Sequence, residues 1–382
     1  MMKKIIGYSI VCLLLISCVS SRKGELSEFT LVEKIAFPID EKTYYFSKSI
    51  SSFVDENTGN EYFSFENSEK GQHEILFYEM GSQQLVKRIE IQEVGPNAIG
   101  MFGHRVKDLN HIYITSSGQH AISLVNDKGA IMQSYNYTQS DEGKPLSLVY
   151  AVSYCHMPLI IDTSLLYLPQ RVFGNEMSGA DWLSTPLCAI MDTLSFNIKI
   201  LPLKYPVLFK QKSPITSSAD VGYSFDFDGQ NFIYSFMKSD SIIVTSDHIQ
   251  SRSYISKSRY LNQVKCIPYS GDDIITCQRS MCEQEMYWHF MYDKYRDVYY
   301  RFALFACDVD ARTDVMELDG VRQEFSVMVL GRDFKVIKEV RFPKDRYLPK
   351  MCFIGKKGLY ISENNPANPD FDENKLVFSC FR

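Results

Sequence analysis

The sequence predicts an all-β chain folded as a six-bladed β-propeller of four-stranded antiparallel blades. Three observations carry this: an aromatic, strand-favouring composition, a Tyr-centred strand that returns six times, and hairpins flanking each return. The 24 Tyr and 25 Phe stand against only 2 Trp, and aromatic residues make up 13% of the chain. Such side chains suit the pleated, half-buried surface of a sheet. With 45% hydrophobic and 23% charged residues, the 382-residue chain has ample material for a large core.

The recurring strand reads EYFSF, HIYIT, LLYLP, FIYSF, VYYRF and GLYIS, which sets Tyr62, Tyr113, Tyr167, Tyr234, Tyr300 and Tyr360 in register. Successive spacings of 51, 54, 67, 66 and 60 residues each leave room for one four-stranded unit. On the second strand of a blade, a Tyr is expected to bury its ring between neighbouring blades and find one partner for its hydroxyl.

Each copy follows an apolar stretch and a tight turn: FVDENTGN, RVKDLN, LIIDTS, FDFDGQN, FMYDKYRD and FIGKKG. Asp, Asn, Gly and Lys between two β-rich runs read as a hairpin. Five copies lead into a second hairpin, from ILFYEMGSQQLVKRIEI in the first to FSVMVLGRDFKVIKEVRFP in the fifth. The sixth has only half of one, KLVFSCFR, at residues 375–382. The missing outer strand is available in EFTLVEKIAFP at 28–38, and pairing the two ends closes a ring without an open edge. The propeller is therefore placed at 28–382, with an insertion at about 256–288 between the fourth and fifth units.

The segment Gly95-Pro96-Asn97-Ala98-Ile99-Gly100 precedes the second inner hairpin. Together with the six repeats it resembles the six-bladed propellers of the NHL and TolB-like group, and the propeller lipoproteins of Bacteroidetes of the DUF4221 type. That resemblance implies a fold and no activity.

Residues 1–17, MMKKIIGYSIVCLLLIS, combine a basic start at Lys3 and Lys4 with an apolar run from Ile5 to Ile16. The run is shorter than the roughly 20 residues of a spanning helix and reads as a cleavable signal. Leu15-Ile16-Ser17-Cys18 resembles the lipobox of bacterial lipoproteins, which implies acylation of Cys18. Residues 18–27 are polar and read as a tether, so the expected address is the cell envelope, lipid-anchored at the outer membrane. Val19, Ser20, Ser21, Arg22 and Lys23 stand where surface-exported relatives often carry acidic residues, leaving both membrane faces open.

Net charge is −5, and removing Lys3 and Lys4 makes it −7, which argues against nucleic acid as a partner. Cys188, Cys352 and Cys380 fall in predicted strands as small buried apolar residues, while a bridge among Cys266, Cys277 and Cys282 is the one plausible disulfide. Asp308-Val309-Asp310 begins like a calcium loop, but Arg312 and Thr313 break it, and Asp370, Asp372 and Glu373 read as a solvated loop. No metal, cofactor or linear catalytic motif is expected.

By analogy with other propellers, a site would form on the face holding the loops that leave each Tyr strand and those that join the blades. There it would draw on His104, Arg105, His120, Arg171, Arg259, Arg279, Trp288, His289, Asn364 and Asn365. The expected function is binding: a membrane-anchored scaffold for a protein, peptide or glycan. The rival is a hydrolase or lyase acting on an envelope or dietary polymer, with carboxylate, His and Arg groups converging from several blades.

Overall fold

The computed structural model describes residues 29–69, 71–171, 184–206, 222–264, 274–321 and 324–382. The described chain enters through β1 (Leu31–Pro38) and then lays down blade 1 as β2 (Ile50–Val54), β3 (Glu61–Asn67), β4 (Glu74–Glu79) and β5 (Leu85–Glu90). Blade 2 is β6 (Met101–Asp108), β7 (His111–Ser116), β8 (Ala121–Val125) and β9 (Ile131–Asn136). Blade 3 is β10 (Ile160–Asp162), β11 (Leu165–Pro169), β12 (Cys188–Asp192) and β13 (Ile198–Ile200). Blade 4 is β14 (Tyr223–Phe227), β15 (Phe232–Phe236), β16 (Ser241–Thr245) and β17 (Arg252–Ile255). Blade 5 is β18 (Met286–Asp293), β19 (Val298–Leu304), β20 (Phe325–Leu330) and β21 (Val336–Arg341). Blade 6 is β22 (Leu348–Ile354), β23 (Leu359–Ser362) and β24 (Lys375–Phe381), with β1 as its fourth strand.

Every sheet is antiparallel and meanders outward from its first strand. The first strands gather at the ring axis: the Ser52 hydroxyl of β2 donates to the Ile354 carbonyl of β22 at 2.5 Å, and that of Ser224 in β14 donates to the Phe290 carbonyl of β18 at 3.3 Å. Ring closure is as expected from the chain ends. β1 pairs with β24 from Leu31↔Phe381 to Pro38↔Lys375, and Thr30 and Arg382 exchange backbone hydrogen bonds of 2.9 and 3.0 Å.

Apolar layers fill the spaces between blades, and the six repeat tyrosines lie in them, each at most 9% exposed. Tyr62 packs with Phe53 toward blade 2, and Tyr113 and Tyr360 likewise lie in the layers facing the following blade. Tyr234 is different. It shares a layer with Tyr223, whose hydroxyl donates to the Gln170 and Leu187 carbonyls of blade 3, so it faces backward. Blade 4 therefore runs one residue out of step, and a one-residue slip turns a strand's faces over.

Residues 256–285 separate β17 from β18 and include the helix α1 (Ile274–Cys282). The last three residues of the expected insertion, with Trp288 among them, belong instead to β18. That strand is buried along nearly its whole length, so it lacks the polar–apolar alternation that would mark it. A second helix, α2 (Val315–Gly320), is capped by Asp314, which accepts from the Met316 and Glu317 amides. Cys282, Cys307, Val315 and Leu318 pack the two helices together. Cys155, Cys188, Cys352 and Cys380 are also buried, and burial pushes the Cys188 thiol up to about 12. Cys12, Cys18 and Cys266 lie outside the described residues, as do residues 1–27, expected from sequence to be a signal and tether.

The two faces of the ring differ. The turns joining first to second and third to fourth strands are two to six residues long and share one face. The other face carries the longer connections, including 137–159 and both helices. On the short-turn face the outermost strands start with exposed apolar pairs: Leu31 and Val32, Leu85 and Val86, Ile131 and Met132, Val336 and Ile337.

Candidate binding site on the plugged axis

The connection between β9 and β10 does not skirt the ring but crosses it. Residues 152–157 fold back on themselves, with Met157 N–H donating to the Val152 carbonyl at 2.8 Å and His156 N–H to Ser153 at 2.9 Å. His156 takes a left-handed φ of 49°, a conformation in which His is more tolerated than most residues. The turn reaches four other blades. Ser153 N–H donates to the Lys48 carbonyl leading into blade 1 at 3.0 Å, and Ala151 pairs with Gly103 of blade 2. The His156 carbonyl accepts from Phe225 N–H of blade 4 at 3.0 Å, and the Tyr154 carbonyl accepts from the Trp288 indole of blade 5. Val152, Cys155 and Met157 thereby join the layer between blades 3 and 4 to that between blades 5 and 6. The segment is a plug on the axis.

Around it stand cations and rings. Lys48 lies 5.5 Å from the centre of the Phe102 ring, which packs on Tyr150 of the plug at 4.6 Å. Lys350 sits 4.3 Å over Trp288, and the Arg171 guanidinium is 3.9 Å from the Cys155 sulfur and 5.9 Å from the Tyr223 ring. Burial pushes the Cys155 thiol up while Arg171 opposes that shift. Arg105 extends from β6 with open access to solvent, yet protein surrounds it enough to lower its pKa, with Asp226 of blade 4 pulling the other way. Asp226 accepts from Tyr292 N–H at 2.7 Å and lies 2.9 Å from Nε2 of His156.

His289 is fully buried beside this cluster, 6.4 Å from His156 ring to ring, and neither of its nitrogens has a well-aligned partner. Burial, then His156 and Lys350, hold its pKa well below the usual range, against a weaker pull from the Pro349 backbone. It is a neutral imidazole in a cationic setting.

Of the ten residues expected at a site, Arg105, Arg171, Trp288 and His289 converge on the plug. The others do not. His104 is sealed between blades 1 and 2, bridging the Ser49 and Ser64 hydroxyls at 2.9 and 2.8 Å. Asn364 and Asn365 are buried loop braces, the first donating to the Lys375 carbonyl at 2.7 Å and the second to that of Tyr347 at 3.2 Å. His120 contacts the Leu146 carbonyl at 2.9 Å, Arg259 clasps the Glu339 carbonyl at 2.5 Å, and Arg279 ties α1 to the Asp310 carbonyl at 2.8 Å. Sequence reasoning missed Lys48, Tyr150, Tyr154, His156, Asp226 and Lys350. The available signal was length: 23 residues separate β9 from β10, far more than a blade-to-blade link needs.

A ring of six four-stranded blades whose axis is closed by its own loop defines a plugged six-bladed β-propeller. The chain belongs to the DUF4221 family, a domain of unknown function whose model matches residues 28–341. It is similar to a member of that family from Bacteroides vulgatus, with 38% identity and a TM-score of 0.84 over 93% of this chain and 98% of the other. A presumed exported protein of Bacteroides fragilis shares the fold at 10% identity and a TM-score of 0.50, over 92% and 95% of the two chains. No curated protein matches the sequence.

Proposed function

We propose that the protein is a lipid-anchored binding module of the cell envelope, acylated at Cys18, that takes an anionic protein, peptide or glycan at the axial end of its long-loop face. The observation that carries this reading is the gathering of Lys48, Arg171 and the buried Lys350 around the plug, in a chain whose net charge is −5. Cations clustered against an overall negative molecule focus the field and draw an opposite charge to one place. The rings of Phe102, Tyr150 and Tyr154 beside them supply partly exposed apolar area. No helix among the described residues is long and apolar enough to cross a membrane, and in this reading acyl chains on Cys18 supply the anchor.

Binding of the purified full chain to matched panels of acidic and neutral oligosaccharides and peptides tests the reading. Lys48→Met with Arg171→Gln is expected to weaken acidic ligands by about tenfold or more, as loss of charge-assisted bonds does. Equal binding by the variant, or preference for neutral ligands, refutes it. The intact mass of the Cys18 peptide reports acylation separately.

A second reading has one observation in its favour. His156 and Asp226 lie 2.9 Å apart next to Arg105, a convergence that acid–base chemistry on a polymer would use. Turnover of a polymer library that Asp226→Asn abolishes would establish it over binding alone.

A further inference from the structure

We propose that the short-turn face of the ring seats on a lipid bilayer, so that the plugged long-loop face points away from the membrane. The inference rests on acylation at Cys18 only for the tether, and the rim itself is read from the structure.

Four blades start their outermost strands with the exposed apolar pairs at 31–32, 85–86, 131–132 and 336–337. The remaining two blades supply the same character from the turn before that strand. Leu194 and Phe196 of blade 3 are 80% and 49% exposed, and Ile249 of blade 4 is 70% exposed. All six blades thus place large apolar groups toward one face. Among the described residues, Val94, Ile255, Ile275 and Met316 are the large aliphatic groups exposed toward the other side. Ordinary scatter of exposed apolar residues would not select one face in every blade.

The occupant follows from where the chain enters. β1 begins at Leu31, itself a rim residue, and 11 residue steps separate Phe29 from Cys18. Such a span reaches at most about 40 Å, and it leaves the fold beside Leu31, at the short-turn end of β1. An acyl group at Cys18 would therefore hold this face, and not the opposite one, next to the bilayer. Lys87 paired with Asp127 and Lys357 with Glu33 give the same face charges of both signs, so apolar insertion and not anionic-lipid attraction is the expected mode.

The test places a tryptophan at the rim or on the opposite face of the full acylated chain, as Leu85→Trp or Val94→Trp, in phosphatidylcholine vesicles with brominated acyl chains. Wild type, with its own two tryptophans, sets the baseline. The rim tryptophan is expected to be quenched at least twofold more than the one at 94. A second pair, Ile131→Trp against Ile255→Trp, guards against misfolding of the first. Equal quenching, stronger quenching at 94 and 255, or a rim protected only through self-association in solution overturns the orientation. A chain found without acyl groups fails the anchoring claim alone, and rim quenching on vesicles then still supports the seat while its absence refutes it.

Discussion

Gly103 and Ala151 lie so close that a Cβ on Gly103 would come within 2.3 Å of the Ala151 carbonyl oxygen. Gly103 also adopts φ +103°, open to glycine and strained for any other residue. This is the point where the plug leans on blade 2, and the Thr115 hydroxyl fixes it by accepting from Ala151 N–H at 2.9 Å. Gly103→Ala is expected to destabilise the protein by about 2–4 kcal/mol, combining overpacking and backbone strain. Gly59→Ala, at a positive φ with open space around it, should cost about 1 kcal/mol. Urea unfolding midpoints compare the two, and equal losses would show that the plug does not depend on this contact.

Ring closure makes a second pair of outcomes. Phe37 of β1 stacks on Phe63 of blade 1 at 4.9 Å and meets Phe378 of β24 at 6.2 Å. Phe37→Ala should lose about 3–5 kcal/mol, as a fully buried aromatic does. Val32→Ser, on the same strand but solvent-facing, should stay within about 0.5 kcal/mol. Denaturant titration reads both.

Two buried histidines set the acid response. Burial pushes His248 down to about 4, against Asp247, while its Nε2 lies 2.7 Å from the Tyr234 hydroxyl, and His289 is held lower than usual for the reasons given above. Unfolded histidines take up protons near pH 6.5, before the folded ones do, so stability falls as pH drops from there toward 4. The slope is up to about 1.4 kcal/mol per pH unit for each histidine. His289→Leu should flatten that slope and cost little at pH 7.5, because it removes two unsatisfied nitrogens. Unfolding midpoints from pH 7.5 to 4.5 that run parallel to wild type would contradict this.

Arg301 is fully buried in blade 5 and donates to the Ser239 and Ser256 carbonyls at 2.6 Å each and to the Ser235 hydroxyl at 3.0 Å. Its guanidinium stacks 3.5 Å over the Tyr287 ring. Burial lowers its pKa to about 10, and Tyr287 and Asp240 oppose the fall. Arg301→Met should cost about 3 kcal/mol or more by orphaning several acceptors, and Arg301→Lys should not restore it, since an ammonium cannot span the fork. Calorimetric melting of the three proteins decides this.

The repeat was legible because it is local: a hairpin is specified by a few turn residues and alternating side chains, and the six tyrosines lie on second strands as read. Tyr234 shows the limit, since alternation alone does not say which neighbour a face meets when both sides are blades. The start of β18 was hidden for a related reason, as MYWHFMYD is buried along nearly its whole length and shows no polar–apolar alternation, so only its second half, FMYD, was legible before the turn. The plug was signalled only by the length of its loop, which says nothing of where the loop goes. Its contacts join residues far apart in sequence, Ala151 to Gly103 and Tyr154 to Trp288, and nothing within SYCHM specifies a partner on another blade. Arg105 and Arg171 could be named from sequence as loop cations, though Arg105 lies within β6, whereas Lys48 and Lys350 gain meaning only from the rings beneath them.

The pairing of β1 with β24 has a temporal meaning. During synthesis β1 is made before every other described strand and its mate β24 after them, so β1 waits with an open edge until blade 6 is made. Such edges invite pairing with other molecules. The pairing makes β24 the latch that closes the ring.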